Sequence, residues 1–158
     1  MHDNTMNGYR TVTPYLIIKN ASKAIEFYKT AFNATELMRM TMPDGKIGYA
    51  EIKIGDSIIM VADEFLEMGA SGPKTLGGSP IRIHLYVKNV DEFSEQAIVA
   101  GAKLIRPLED QFFGDRLGSL EDPIGHLWNI ATKKEKVSRE EMVKRFDALM
   151  KQHAQPKG

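Results

Sequence analysis

The chain has 158 residues, 42% of them hydrophobic, and its 21 Lys+Arg balance 21 Asp+Glu, so the formal net charge is zero. That suits one folded domain, or two small halves sharing a core, and offers no basic surface for nucleic acid or an anionic membrane. The absence of cysteine excludes disulfides, thiolate nucleophiles and Cys-ligated zinc or iron–sulfur sites, and no apolar run approaches the ~20 residues that span a bilayer.

Residues 1–11 are polar and read as a mobile arm with no apolar signal segment; with the missing cysteines, this leads us to expect a cytoplasmic protein. TVTPYLIIK then reads as a strand, and Pro14, which has no N–H for a ladder, pushes it towards a sheet edge. Asn20 and Ser22 are candidate caps for the helix SKAIEFYKTAFNA. Its Ala24, Ile25, Phe27, Tyr28, Ala31 and Phe32 recur at helical spacing. TELMRMTM and KIGYAEIKI read as strands joined by Pro43-Asp44-Gly45, and the turn Gly55-Asp56 leads into a further strand, SIIMVAD. Residues 64–80, EFLEMGASGPKTLGGSP, show no period and read as a linker or draped loop.

The order then repeats. IRIHLYVKN is a strand, and VDEFSEQAIVAGA a helix stopped by Gly101. KLIRPL, GDRLGSLED and HLWNIAT are strands, the last two joined by a turn at Asp122-Pro123-Ile124-Gly125. Ser138 and Glu141 form a capping box that opens an amphipathic C-terminal helix, with Met142, Phe146, Leu149 and Met150 on one face. Leu16-Ile17-Ile18-Lys19-Asn20 lines up with Leu85-Tyr86-Val87-Lys88-Asn89, 69 positions on; Glu51 and Gly55 line up with Glu121 and Gly125, 70 positions on. Each half is strand–helix–three strands, so the chain is one module written twice, with a pseudo-twofold architecture and a shared cleft expected.

The segments PYLIIKNASKAIEFYKTAFNA, IHLYVKNVDEF and FFGDRLGSLEDPIGHLWNIAT, together with the C-terminal VSREEMVKRF, resemble the vicinal oxygen chelate (glyoxalase/bleomycin resistance/dioxygenase) superfamily, and within it the PhnB-like branch. The resemblance covers residues 12–150, and Asp115-Arg116 is its most branch-specific element. It implies an α+β fold: tandem βαβββ modules, residues 12–63 and 81–132, forming a cup-shaped sheet with helices outside, and a helix and tail in residues 133–158. The cup would bind a metal or a ligand, and half-barrels would complete one another across a homodimer twofold.

Strand alternation assigns the faces of that cup. Ile81, Ile83, Leu85 and Val87 are expected under the helices, as are Trp128 and Ile130. Arg82, His84 and Tyr86 point into the cup, as do Thr13, Tyr15, Ile17, Ile58, Met60, Leu127 and Asn129. The four metal-ligand points that the resemblance implies fall on Thr13, Met60, Arg82 and Asn129, a set without a good donor for a divalent ion and with one obligate cation. A register slip of two would instead bring Tyr15 and His84 to those points. His84 reads either as a ligand contact or as a half-buried histidine bonded to its neighbour strand. Arg82 reads either as an anion contact or as a cation neutralised by Glu51 or Glu121.

His126 is expected as an exposed rim residue, and Asp115 and Arg116 are expected to pair locally near the cup mouth. The expected function is therefore a metal-free protein with no cofactor, binding an unidentified small organic molecule through Tyr15, Met60, Arg82, His84, Tyr86 and Asn129. No nucleic-acid or membrane partner is expected. The alternatives are a metal-dependent glyoxalase- or dioxygenase-type lyase or oxidoreductase, and a structural protein docking a partner through the Gly-rich loop and C-terminal helix.

Overall fold

A computed structural model of the chain describes residues 8–154. The first module consists of β1 (Tyr15–Ile18), α1 (Ala21–Phe32), β2 (Thr35–Thr41), β3 (Ile47–Ile54) and β4 (Ser57–Asp63). A 3₁₀ turn (Leu66–Met68) and a one-turn helix, α2 (Pro73–Leu76), lie within the segment expected to be a linker or draped loop. The second module consists of β5 (Arg82–Tyr86), α3 (Val90–Ala100), β6 (Lys103–Asp110), β7 (Asp115–Glu121) and β8 (Leu127–Lys133), followed by α4 (Arg139–Ala154). No helix of the described residues is long and apolar enough to cross a membrane.

Each module makes its own four-stranded sheet, ordered β1-β4-β3-β2 and β5-β8-β7-β6. The first strand of each pairs in parallel with the last, and the other pairings are antiparallel. β1 is shorter than TVTPYLIIK suggested. Pro14 cannot donate to a ladder but its carbonyl still accepts Met60 N–H at 2.9 Å, so the strand opens at Tyr15 and leaves Thr13 ahead of it.

Asn20 is the cap of α1. It sits in the left-handed region at φ 71°, which asparagine tolerates, and its side chain accepts Lys23 N–H. Gly101 ends α3 at φ 124°, as a stop signal should. Ser138 Oγ accepts Glu141 N–H at 3.1 Å at the start of α4.

One continuous core lies between the helix-side faces of the sheets and the helices α1 and α3, which pack on each other. Trp128, fully buried on β8, meets the rings of Tyr28 and Phe32 of α1 with centroids 5.5 and 4.9 Å apart, and Phe32 stacks on Phe93 of α3 at 5.3 Å. A helix from the first module thus closes against a strand from the second. Gln96 of α3 adds hydrogen bonds to the Thr30 carbonyl and the Asn33 side chain at the end of α1.

Several expectations need correction. Ile83, Leu85 and Val87 pack against the core, but Ile81 precedes β5 and is 68% exposed. His126 is half-buried rather than a rim residue, because its Nε2 reaches the Ile17 carbonyl at 3.0 Å and links the last hairpin to β1. Asp115 and Arg116 do not pair with one another. As consecutive strand residues they face opposite ways, Asp115 buried with Lys133 Nζ 3.1 Å away and Arg116 forked onto Asp91.

The hairpin ladders also revise the internal alignment. Glu51 lies opposite Met60, and Ser119 lies opposite Asn129, so the counterpart of Glu51 is Ser119 and not Glu121. The last hairpin of the second module is one residue longer, so the 70-residue spacing of the two glutamates does not mark equivalent positions, and Glu121 corresponds to Lys53.

Candidate functional site

The sheet faces turned away from the helices carry all six residues expected at the site, in two groups. On the first sheet the ladder sets Tyr15 opposite Met60, Met60 opposite Glu51, and Glu51 opposite Met38. On the second it sets His84 opposite Asn129, Asn129 opposite Ser119, and Ser119 opposite Arg106. These are corresponding rows of the two modules. The residue opposite Met60 is Tyr15 rather than Thr13, and the residue opposite Asn129 is His84 rather than Arg82.

The second-sheet group is joined by hydrogen bonds. Arg82 Nη1 donates to Ser119 Oγ at 3.2 Å, Ser119 Oγ donates to Asn129 Oδ1 at 2.8 Å, and Asn129 Nδ2 lies 3.5 Å from His84 Nδ1. The His84 and Tyr86 rings are neighbours at 4.9 Å. The neutralisation of Arg82 by Glu51 or Glu121 does not occur: among the described residues no carboxylate comes within ion-pair distance of it. The side chain is exposed, so its charge is stabilised by water and one hydroxyl. Tyr86 is 66% exposed and Tyr15 48%, so one chain leaves this face open rather than closing a cup over it. His84 and Tyr86 also border a groove of about 1110 Å³ between the modules, whose other walls include Lys53, Asp56, Lys88 and Phe93.

The first-sheet group has a different chemistry, and two of its members were not anticipated. Glu51 is only 7% exposed, and Tyr9 from the N-terminal arm donates its hydroxyl to Glu51 Oε2 while lying 3.1 Å from the Tyr49 hydroxyl. Burial first, and then the bonds to Glu51 and Tyr49, push the Tyr9 phenol well above its ordinary range. Tyr15 and Tyr49 are ring neighbours at 6.3 Å. A tyrosine in a polar arm carries no periodic signal, so Tyr9 was invisible to pattern reading. Glu51 was visible as a repeat mark and as a candidate partner of Arg82, not as a partner of Tyr9.

Across the corresponding rows the donors are a phenol, a thioether, an imidazole and an amide, with Arg82 beside the imidazole. The one carboxylate is engaged by Tyr9 on the other sheet. Among the described residues no three His, Cys, Asp or Glu side chains converge as a metal site. A divalent ion of the kind the superfamily can use does not fit this donor set.

Comparison with known proteins agrees with this architecture. An uncharacterized protein of Mycobacterium bovis is 40% identical over 140 residues, covering 87% of this chain and 92% of that one. TioX from Micromonospora sp. ML1 superposes with a TM-score of 0.63 at 25% identity, covering 78% of this chain and 98% of that one. A PhnB protein of Bacillus cereus, described as a putative 3-demethylubiquinone-9 3-methyltransferase, superposes with a TM-score of 0.62 at 15% identity, covering 78% of this chain and 99% of that one. The model of one family matches residues 10–130, and with the doubled βαβββ architecture already described, the chain belongs to the Glyoxalase/Bleomycin resistance protein/Dioxygenase superfamily.

Proposed function

We propose that this chain is a PhnB-like, metal-free binding protein for a small organic anion, working as a cytoplasmic homodimer in which a second copy covers the open sheet faces. The observation that carries the reading is Arg82. A guanidinium on an open sheet face with no carboxylate partner among the described residues is suited to a carboxylate or phosphonate, which its planar fork engages with two hydrogen bonds. Ser119 and Asn129 hold the fork's neighbourhood, His84 adds a ring nitrogen, and Tyr86 supplies an apolar wall. Convergent polar groups beside an aromatic wall, closed over by a second copy, have the make-up of a small-molecule site. The exposed Tyr15, Tyr86 and Ile81 supply apolar area for the second copy.

The test is a thermal-shift screen of small aromatic and aliphatic carboxylates, phosphonates and amines, repeated on Arg82→Ala. Stabilisation by anions that vanishes in the variant is expected; anion binding that survives Arg82→Ala overturns the reading. Light scattering over a hundredfold concentration range tests the dimer, and a monomer throughout removes that part.

A further inference from the structure

We infer that the first-module face is a second subsite, for an organic ammonium group, and that the chain's own Tyr9 occupies it as a displaceable strap. The inference rests on the binding reading above and assigns the opposite charge class to the other half of the site.

Glu51 sits in the middle of its sheet face. Its ladder neighbours are Met60 and Met38, Tyr49 is two residues back on the same strand face, and Tyr15 lies beyond Met60. Met40 lies opposite Tyr49. A carboxylate set among thioethers and phenol rings has lost most of its water, and a buried carboxylate requires hydrogen-bond donors and benefits from a positive charge. Among the described residues no lysine or arginine comes within ion-pair distance of Glu51. Lys53 shares the face but stays exposed. The donor present is Tyr9, a neutral phenol.

Gly8 and Tyr9 reach that point by lying on the same face. Gly8 rests so close to Ile58 that an added Cβ would come within 3.0 Å of its Cδ1, and Ile58 is buried without belonging to the main core. Gly8 and Tyr9 therefore lie against Ile58, Tyr49 and Glu51, and the group Tyr9 satisfies is a carboxylate.

A ligand ammonium supplies what the phenol lacks. It donates an N–H to Glu51 Oε2 as Tyr9 now does, and also brings a formal charge. The faces of Tyr15 and Tyr49 attract a cation, and the thioethers give polarisable apolar contact to the carbon attached to it. A hard metal ion is not favoured by one carboxylate and three thioethers. The expected ligand is therefore an arylalkyl- or alkylammonium group that displaces Tyr9 on binding.

The experiment is a titration of the full chain with benzylammonium, read from the methyl signals of ¹³C-methionine, with benzoate as the charge-reversed probe. Benzylammonium should shift the signals of Met38 and Met60. Tyr9→Phe, which removes the competing O–H, should bind it about tenfold more tightly, and Glu51→Gln should lose tenfold or more, as a charge-assisted hydrogen bond commands. Benzoate should leave Met38 and Met60 unmoved, while its own Arg82-dependent thermal shift persists in both variants. Unchanged benzylammonium affinity in Tyr9→Phe, or undiminished affinity in a folded Glu51→Gln, overturns the inference; if Glu51→Gln fails to fold, Tyr9→Phe decides alone. Loss of Arg82-dependent benzoate binding with benzylammonium binding intact would overturn the anion reading instead.

Discussion

The Tyr28 hydroxyl, on the helix of the first module, donates at 2.5 Å to Oδ2 of Asp122, in the last hairpin of the second. The same oxygen accepts Trp128 Nε1–H at 2.9 Å, and Oδ1 accepts the backbone N–H groups of Ile124 at 3.0 Å and His126 at 2.9 Å. One carboxylate, 3% exposed, therefore shapes its own turn, orients the core tryptophan and ties the modules together. Tyr28→Phe removes one of four donors and should cost about 1–3 kcal/mol. Asp122→Ala strands all four and should cost more, about 3–5 kcal/mol. Urea unfolding monitored by Trp128 fluorescence checks both. An Asp122→Ala protein as stable as Tyr28→Phe would remove the carboxylate from this role.

The same pair makes stability fall in alkali. Complete burial first, and then the Asp122 charge, hold the Tyr28 phenol well above its ordinary value of 10.0. Above that pH the unfolded chain releases the proton and the folded chain keeps it. The stabilisation is whole below pH 10.0 and is lost as pH rises towards the folded value. The slope of unfolding free energy should steepen by about 1.4 kcal/mol per pH unit for this phenol. Tyr28→Phe should start lower and lose less between pH 9 and 11.5. Urea midpoints across that range decide, and parallel slopes would refute the assignment.

The doubled module was legible because strands and helices leave periodic marks, and because two halves of one length invite alignment. Trp128 could be assigned to the core by alternation alone. What alternation could not reach is lateral pairing. Whether Arg82 or His84 stands opposite Asn129 depends on how β5 is set beside β8, and whether Thr13 or Tyr15 stands opposite Met60 depends on where Pro14 lets β1 begin; those are backbone matters. Side chains that arrive from outside the periodic elements were equally hidden. Tyr9 comes from the polar arm, and Asp122 presented itself as a turn former while its oxygens serve the core.

Gly114 is fixed by both backbone angle and space. Its φ is +95°, and a Cβ there would lie 2.2 Å from the Glu135 carbonyl oxygen and 3.0 Å from Val137. Its own carbonyl accepts the N–H groups of Lys134 and Glu135, so the β6–β7 connection and the approach to α4 are stitched at this residue. Gly114→Ala should cost at least about 3 kcal/mol, since a left-handed angle and a backbone clash act together. Gly45, also at positive φ but with open space around it, should lose less on the same substitution. Thermal melts of the two variants compare them directly, and equal losses would mean that the clash at Gly114 relaxes at no cost.

α4 is held at its first turns rather than along its length. None of its residues is buried, and sixteen residues are marginal as an isolated helix. Arg145 is the pin: it donates to the Phe112 carbonyl at 2.9 Å and forks onto the Glu135 carboxylate, with Glu141 one turn away. The Arg145 guanidinium in turn holds the Glu135 carboxyl below its usual 4.5. A lowered folded value means the tether is whole above 4.5 and is lost as pH falls through the folded value beneath it. Arg145→Ala should therefore raise amide exchange throughout α4 while the strands of both sheets stay protected. Acidification from pH 6 to 3 should produce the same selective loss in the parent chain and little further change in the variant. If α4 amides remain protected in Arg145→Ala at pH 6, the apolar contacts of Met142 and Phe146 with Phe112 and Phe113 hold the helix by themselves.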